Sequence, residues 1–133
     1  PDPEAVRGRI GDRTFIVSFN QPIDIERYPN YEPWLRTSPF AIWFPVPDFH
    51  APPLDEALPI LDRLAGILRD GDPVVMHCSA GIGRAGTMGV ATLMMLGVPF
   101  REALDQIAHD RPGAGPEVGP QRDLVIALAE HLA

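Results

Sequence analysis

The sequence of 133 residues predicts an α/β fold, a central and mainly parallel sheet flanked by helices, with residues 1–133 forming a single domain. Three observations carry that prediction. Three short β-branched, aromatic or apolar runs lie at Thr14–Phe19, Phe40–Val46 and Val74–Met76. A long apolar repeat at helical spacing crosses from the second run to the third. The third run then passes through a glycine-containing loop into an almost wholly apolar helix. The resulting order (β, short α, β, α, β, loop, α, α, α) puts helices over a sheet and a site at the carboxyl ends of its strands. With 45% hydrophobic residues, the chain can bury one substantial core but not two.

Residues 1–12 are short, charged and punctuated by glycine, and no element is read there. Thr14-Phe-Ile-Val-Ser-Phe19 is β-branched and aromatic enough for a first strand, ended by Asn20. From Gln21 to Pro39 the prolines imply a loop with helical turns at Ile23–Arg27 and Tyr31–Arg36. Its aromatics either wall a pocket or cap the edge of the core. Phe40–Val46 is a second strand whose end is marked by Pro45. Leu54, Leu58, Leu61, Leu64, Ala65 and Leu68 recur at helical spacing and give a helix over about 54–69, with Pro59 expected in its first turns. Val74–Met76 is a buried strand after the turn Asp70-Gly-Asp-Pro73. The apolar helix that follows Arg84 stops at Gly97, another runs over Phe100–Asp110, and Gly119-Pro120 opens a last amphipathic helix to about Leu132.

The chemistry concentrates in Pro73-Val-Val-Met-His77-Cys78-Ser79-Ala80-Gly81-Ile82-Gly83-Arg84-Ala85-Gly86-Thr87. A strand delivers Cys78 to a loop that opens a helix. The first N–H groups of that helix have no intrahelical partner, and its dipole adds positive potential. Gly81 and Gly83 let the loop turn its backbone N–H groups inward as an anion nest. The same field favours a thiolate, so Cys78 is the candidate nucleophile. Arg84 can present a planar fork to two oxygens of a phosphate. The plain alternative is a buried structural cysteine in an ordinary βα turn.

His77, Cys78, Gly81 and Arg84 spell His-Cys-x-x-Gly-x-x-Arg, which resembles the signature of the cysteine-dependent protein tyrosine phosphatase superfamily. The chain looks most like its small dual-specificity and kinase-associated members and their bacterial relatives. The resemblance implies a phosphomonoester hydrolase that works through a phospho-cysteine intermediate, with no metal or other cofactor. It implies that Ser79, Ala80, Gly81, Ile82, Gly83 and Arg84 bind the phosphate, and that His77 supports the loop. It makes Asp48, in Val-Pro-Asp, the general acid. A turn aspartate is the ordinary reading of Asp48, and Asp55 is the other candidate acid, although Asp55-Glu56 also suits a helix start. Gln121 would position the hydrolytic water, unless it is simply a polar residue at a helix start. Asn20 would hold the loop, or is a turn former. Arg111 would assist substrate binding, or is a cation at a helix end. His50 is a substrate-side residue or a solvated one. The family usually has Ser or Thr after the arginine, where this chain has Ala85.

The net charge of −7 argues against partners that need a basic surface, namely nucleic acid and anionic membranes. The expected partner is a phosphorylated protein or a small phosphate ester, met by a monomer. All 11 cationic residues are arginine. Relatives that hydrolyse phosphoinositides tend to carry lysines in the signature loop, so this composition weakens the lipid reading. A lone cysteine excludes an internal disulfide and suits a reducing, cytoplasmic compartment. The sequence starts at Pro1 rather than Met, which leaves open what preceded it. His77, His109 and His131 lack metal-ligand spacing. Two other classes stand beside the hydrolase: a catalytically weak phosphate-binding pseudophosphatase, and an arsenate reductase or sulfur carrier using the same loop.

Overall fold

The computed structural model describes residues 2–79 and 83–133. Three parallel strands form its sheet: β1 (Phe15–Ser18), β2 (Ala41–Trp43) and β3 (Val74–His77), in the order β2-β1-β3. The central strand is the most buried, with Ile16 and Val17 at 3% and 0% exposure. Its register sets Ser18 beside Trp43 on one side and beside His77 on the other. All three strands therefore end together, at the site.

The second strand is shorter than the sequence predicts, and Pro45 is the reason. Phe44 N–H still donates to the Ser18 carbonyl (2.9 Å) and Val46 N–H to the Phe19 carbonyl (3.0 Å). Between them Pro45 has no N–H to offer, so regular strand geometry lapses while the chain keeps its direction.

The largest departure from the sequence reading lies at the start, where α1 (Pro3–Ile10) forms. Its signals are local ones. Asp2 caps it by accepting from the N–H groups of Glu4 (3.1 Å) and Ala5 (3.3 Å), an interaction worth about 1 kcal/mol. Pro3 occupies the first turn, where its missing N–H costs nothing. The helix is pinned by Arg7, whose Nε donates to the Thr14 carbonyl (2.8 Å) and whose guanidinium lies 4.0 Å from the Phe40 ring centre.

Two short helices, α2 (Pro22–Ile25) and α3 (Tyr31–Thr37), follow β1 and bury Ile25, Tyr31 and Leu35 in a small cluster of their own. The main core lies under α4 (Leu54–Arg69), α5 (Gly83–Met95), α6 (Phe100–Asp110) and α7 (Pro120–Leu132). The long helix α4 continues past Pro59, its sixth residue, which falls in the first turns as expected. Helix α5 is the hub, packing against α4, α6 and α7. Its glycines allow close approach: a Cβ on Gly89 would stand 3.2 Å from Ile107 Cδ1 of α6, and one on Gly86 would meet the backbone nitrogen of Gly115, between α6 and α7, at 2.6 Å. Among the described residues no helix is long and apolar enough to cross a membrane.

Candidate active site

Strand β3 carries His77 to the loop and α5 begins at Gly83, so Cys78 and Arg84 flank the segment that the sequence assigns to phosphate. Ala80, Gly81 and Ile82, named there as phosphate-binding, lie outside the described residues. Cys78 is buried, at 8% exposure. Its sulfur accepts the backbone N–H of Ala85 at 3.4 Å. That donor belongs to the first turn of α5, where N–H groups have no carbonyl of their own helix to bond. Position 85 thus supplies its main chain to the sulfur although its side chain carries no hydroxyl. Thr87 is no substitute: its one hydroxyl proton is shared between the Gly83 carbonyl (2.7 Å) and Gln121 Oε1 (3.0 Å).

Arg84 is the largest fully buried side chain, 2% exposed. One of its nitrogens is committed: Nη1 donates to Asp24 Oδ2 (2.9 Å) and to the Val46 carbonyl (2.8 Å). The other two, Nε and Nη2, are buried and have no hydrogen-bond partner among the described residues. These two N–H groups share one edge of the planar guanidinium, the edge that fits two oxygens of a phosphate. Asp48 Oδ1 approaches that edge at 3.7 Å from Nε, on a side chain that is 60% exposed. The sequence-named acid and clamp therefore meet, although 36 residues of chain order separate them.

The supports come from three directions. Asn20 donates through Nδ2 to the Ser79 hydroxyl (3.0 Å) and receives the Ser18 hydroxyl on Oδ1 (3.1 Å), which ties the end of β1 to the start of the signature loop. His77 stacks on Tyr31, with ring centres 5.6 Å apart, and its Nε2 pairs with the Tyr31 hydroxyl. Burial lowers the His77 pKa and keeps the ring neutral. Burial also pushes the Tyr31 phenol up to about 12, against a smaller opposing hydrogen bond from Ser18. Tyr31, only 3% exposed, belongs to the small core cluster with Trp34 packed on it. Tyr28, the more exposed of the two tyrosines, lines with Tyr31 a cavity of about 280 Å³ that also reaches Asn20, Asp24, His77 and Cys78.

Gln121 is wholly buried, at 0% exposure. Its Oε1 accepts from Thr87 and from the Glu117 N–H (3.0 Å), and its Nε2 donates to the His50 carbonyl at 3.4 Å. It so links α7 and α5 to the loop that carries Asp48. Gly83 lets the two segments approach closely: a Cβ there would stand 3.3 Å from Gln121 Nε2, so the amide would have to shift by a few tenths of an ångström. Asp55 sits in the first turn of α4 and accepts the Glu56 N–H (3.0 Å), as a helix-start residue does. His50 meets Gln121 through its carbonyl, and its own N–H donates to the Pro47 carbonyl (3.0 Å).

Asp24 is the residue that sequence reasoning missed. Burial alone would raise its carboxyl; hydrogen bonds from Arg84 and the Gln21 backbone, the Arg84 charge and the Asn20 side chain together hold it below the ordinary carboxylate range. Its sequence signal is local and misleading. An acid three residues after Gln21 reads as half of a capping box, which it is, and nothing in that pattern points 60 residues ahead.

Comparison with known proteins places the chain among phosphatases. A family model described as the dual-specificity (DSP-PTPase) phosphatase of polymorphic toxin systems matches residues 36–98. The crystal structure of Tk-PTP in its active form is 32% identical and superposes with a TM-score of 0.78, covering 98% of this chain and 87% of that one. Human DUSP28 shares the fold at 19% identity and a TM-score of 0.72, covering 98% and 85% of the two chains. PTPMT1, solved in complex with PI(5)P, shares it at 18% identity and a TM-score of 0.76, covering 99% and 87%. No curated protein sequence matches the chain.

Proposed function

Because the chain belongs to the cysteine-dependent protein tyrosine phosphatase superfamily, as a small dual-specificity-like hydrolase, we propose that it hydrolyses phosphomonoesters through a phospho-cysteine intermediate. The substrate class is phosphotyrosine in proteins, with phosphoserine and phosphothreonine as further members. One observation carries the reading: the open Nε and Nη2 edge of a buried Arg84, with Asp48 beside it.

In the first step the Cys78 sulfur attacks phosphorus, and the S–P bond forms as the ester P–O bond breaks. Asp48 gives its proton to the leaving oxygen, and Arg84 holds two of the other oxygens as charge builds on them. In the second step water attacks the phospho-cysteine. Asp48, now a carboxylate, takes the water's proton, the S–P bond breaks, and the thiolate returns to the Ala85 N–H. Both donors that reach Gln121 Oε1 are in place, so Nε2, held only by the 3.4 Å contact to His50, is the group left to orient the water.

A phosphoinositide is a weaker candidate. PTPMT1 binds one, but this chain has no lysine to place in its loop. The reaction is assigned to a monomer in a reducing compartment, which preserves a lone thiol.

The test is turnover of an aryl phosphate in the presence of a metal chelator. Cys78→Ser abolishes it while retaining phosphate binding, and Arg84→Lys loses both, because a point charge cannot replace the fork. Phosphate binding by a wild type with no turnover would instead identify a pseudophosphatase. Thiosulfate or arsenate turnover would identify the sulfur carrier or the reductase.

A further inference from the structure

We infer that Asp24 is a positioning residue for the phosphate clamp, fixing the guanidinium of Arg84 so that its Nε and Nη2 edge faces the substrate. The inference rests on the hydrolase reading above and adds to it a residue that lies outside both the signature and the acid loop.

An arginine side chain turns freely about its last bonds, and a fork that turns does not clamp. Arg84 is held against this at one nitrogen by two acceptors from different elements, Asp24 on α2 and the Val46 carbonyl after β2. Both take Nη1. With that nitrogen pinned, the plane of the guanidinium is set, and the two unpartnered N–H groups can point in only one direction. Asp24 is itself held. The same Oδ2 that receives Arg84 also accepts the Gln21 N–H at 2.8 Å, so the capping of a four-residue helix sets the aim of a side chain 60 positions away. The division of labour between the carboxylates follows from this. Asp24, whose side chain is 20% exposed, stays on the committed nitrogen, and Asp48, whose side chain is 60% exposed, remains free to meet the leaving group. A single guanidinium thereby separates a fixed acid from a working one.

Asp24→Ala and Asp24→Asn test this on the full chain. The alanine variant removes the acceptor and is expected to lower kcat/KM by about a hundredfold, the cost of a misplacement near 1 Å at a reacting centre. That loss should be the same for phenyl phosphate and for strongly activated aryl phosphates, because the clamp acts on phosphate oxygens and not on the leaving group. Inorganic phosphate should bind about tenfold more weakly to Asp24→Ala in the Cys78→Ser background. The asparagine variant keeps a carbonyl oxygen that can accept both N–H groups, so it should recover most of the activity, and it serves if the alanine variant fails to fold. A folded Asp24→Ala with unchanged kcat/KM and phosphate affinity overturns the proposal, as does a loss confined to poor leaving groups. An Asp24→Asn that loses as much phosphate affinity as Arg84→Lys also overturns it. Absence of wild-type turnover would remove the hydrolase reading, and the phosphate titration would still decide on Asp24.

Discussion

Asp48 Oδ1 stands 3.7 Å from Nε of Arg84, on the edge of the guanidinium that Asp24 leaves open. The carboxylate is aimed by its own loop: the same Oδ1 accepts the Phe49 N–H at 2.9 Å, and Phe49 adopts φ 63°. That is the left-handed region, uncommon for a bulky residue. Asp48→Asn should slow poor leaving groups such as phenyl phosphate by about 10²–10⁴-fold while sparing activated aryl phosphates, and should flatten the basic limb of the pH profile. Equal losses on both substrates would make Asp48 a loop-forming residue only.

Ala85 gives the sulfur a backbone donor at 3.4 Å and no side-chain donor. A hydroxyl there would stabilise the departing thiolate in the second step, so Ala85→Ser should raise kcat, by about tenfold if it adds ~1.4 kcal/mol of hydrogen bonding. It should also shrink the burst of leaving group in rapid-mix kinetics and leave single-turnover phosphorylation unchanged. No burst in the wild type and no gain in the variant would show that formation of the intermediate limits the rate.

His77 makes stability depend on pH. Its folded pKa lies below the ordinary histidine value of 6.5 because of burial, so below pH 6.5 the unfolded chain binds more protons than the fold. Stability from this site is complete above about pH 6.5 and declines as pH falls toward the folded pKa, by at most about 1.4 kcal/mol per unit. Urea unfolding at pH 7.5 and 5.5 should therefore show a steeper acid loss for wild type than for His77→Gln. Parallel losses would assign the acid sensitivity to other groups.

Gly86→Ala tests the packing behind the site. The added Cβ would meet the Gly115 nitrogen at 2.6 Å and the Ala114 Cβ at 3.0 Å. A backbone atom cannot rotate aside, so the variant should lose about 1–3 kcal/mol. It should also disturb Gln121, because Oε1 of Gln121 lies 3.0 Å from where a Cβ on Gly115 would stand. A fully stable variant with normal kinetics would mean that residues 114 and 115 shift freely.

Local patterns carried much of this protein. The repeat from Leu54 to Leu68 needs only helical spacing, and the helix spans Leu54–Arg69. Pro99 and Gly119-Pro120 mark the starts of α6 and α7 because the ring of proline fixes φ without tertiary help. The signature from His77 to Arg84 is legible for a similar reason. Its chemistry needs a nucleophile, a turn and a cation within one strand-loop-helix step, so the residues that act together are neighbours in the chain. The α1 helix was also encoded locally, by Asp2, Pro3 and Gly11, but its polar composition gives no apolar stripe to read.

What the tertiary structure alone decided is how that local device is aimed. The direction of the Arg84 fork depends on Asp24 and on the Val46 carbonyl, which the sheet order β2-β1-β3 brings to one place. The committed state of Gln121 depends on Thr87, Glu117 and His50, from three separate segments. Capping, helical period and turn chemistry are interactions over a few residues, so they leave a mark in sequence order. A hydrogen bond between residues 24 and 84 leaves none, because either partner alone has an adequate local reason to be where it is.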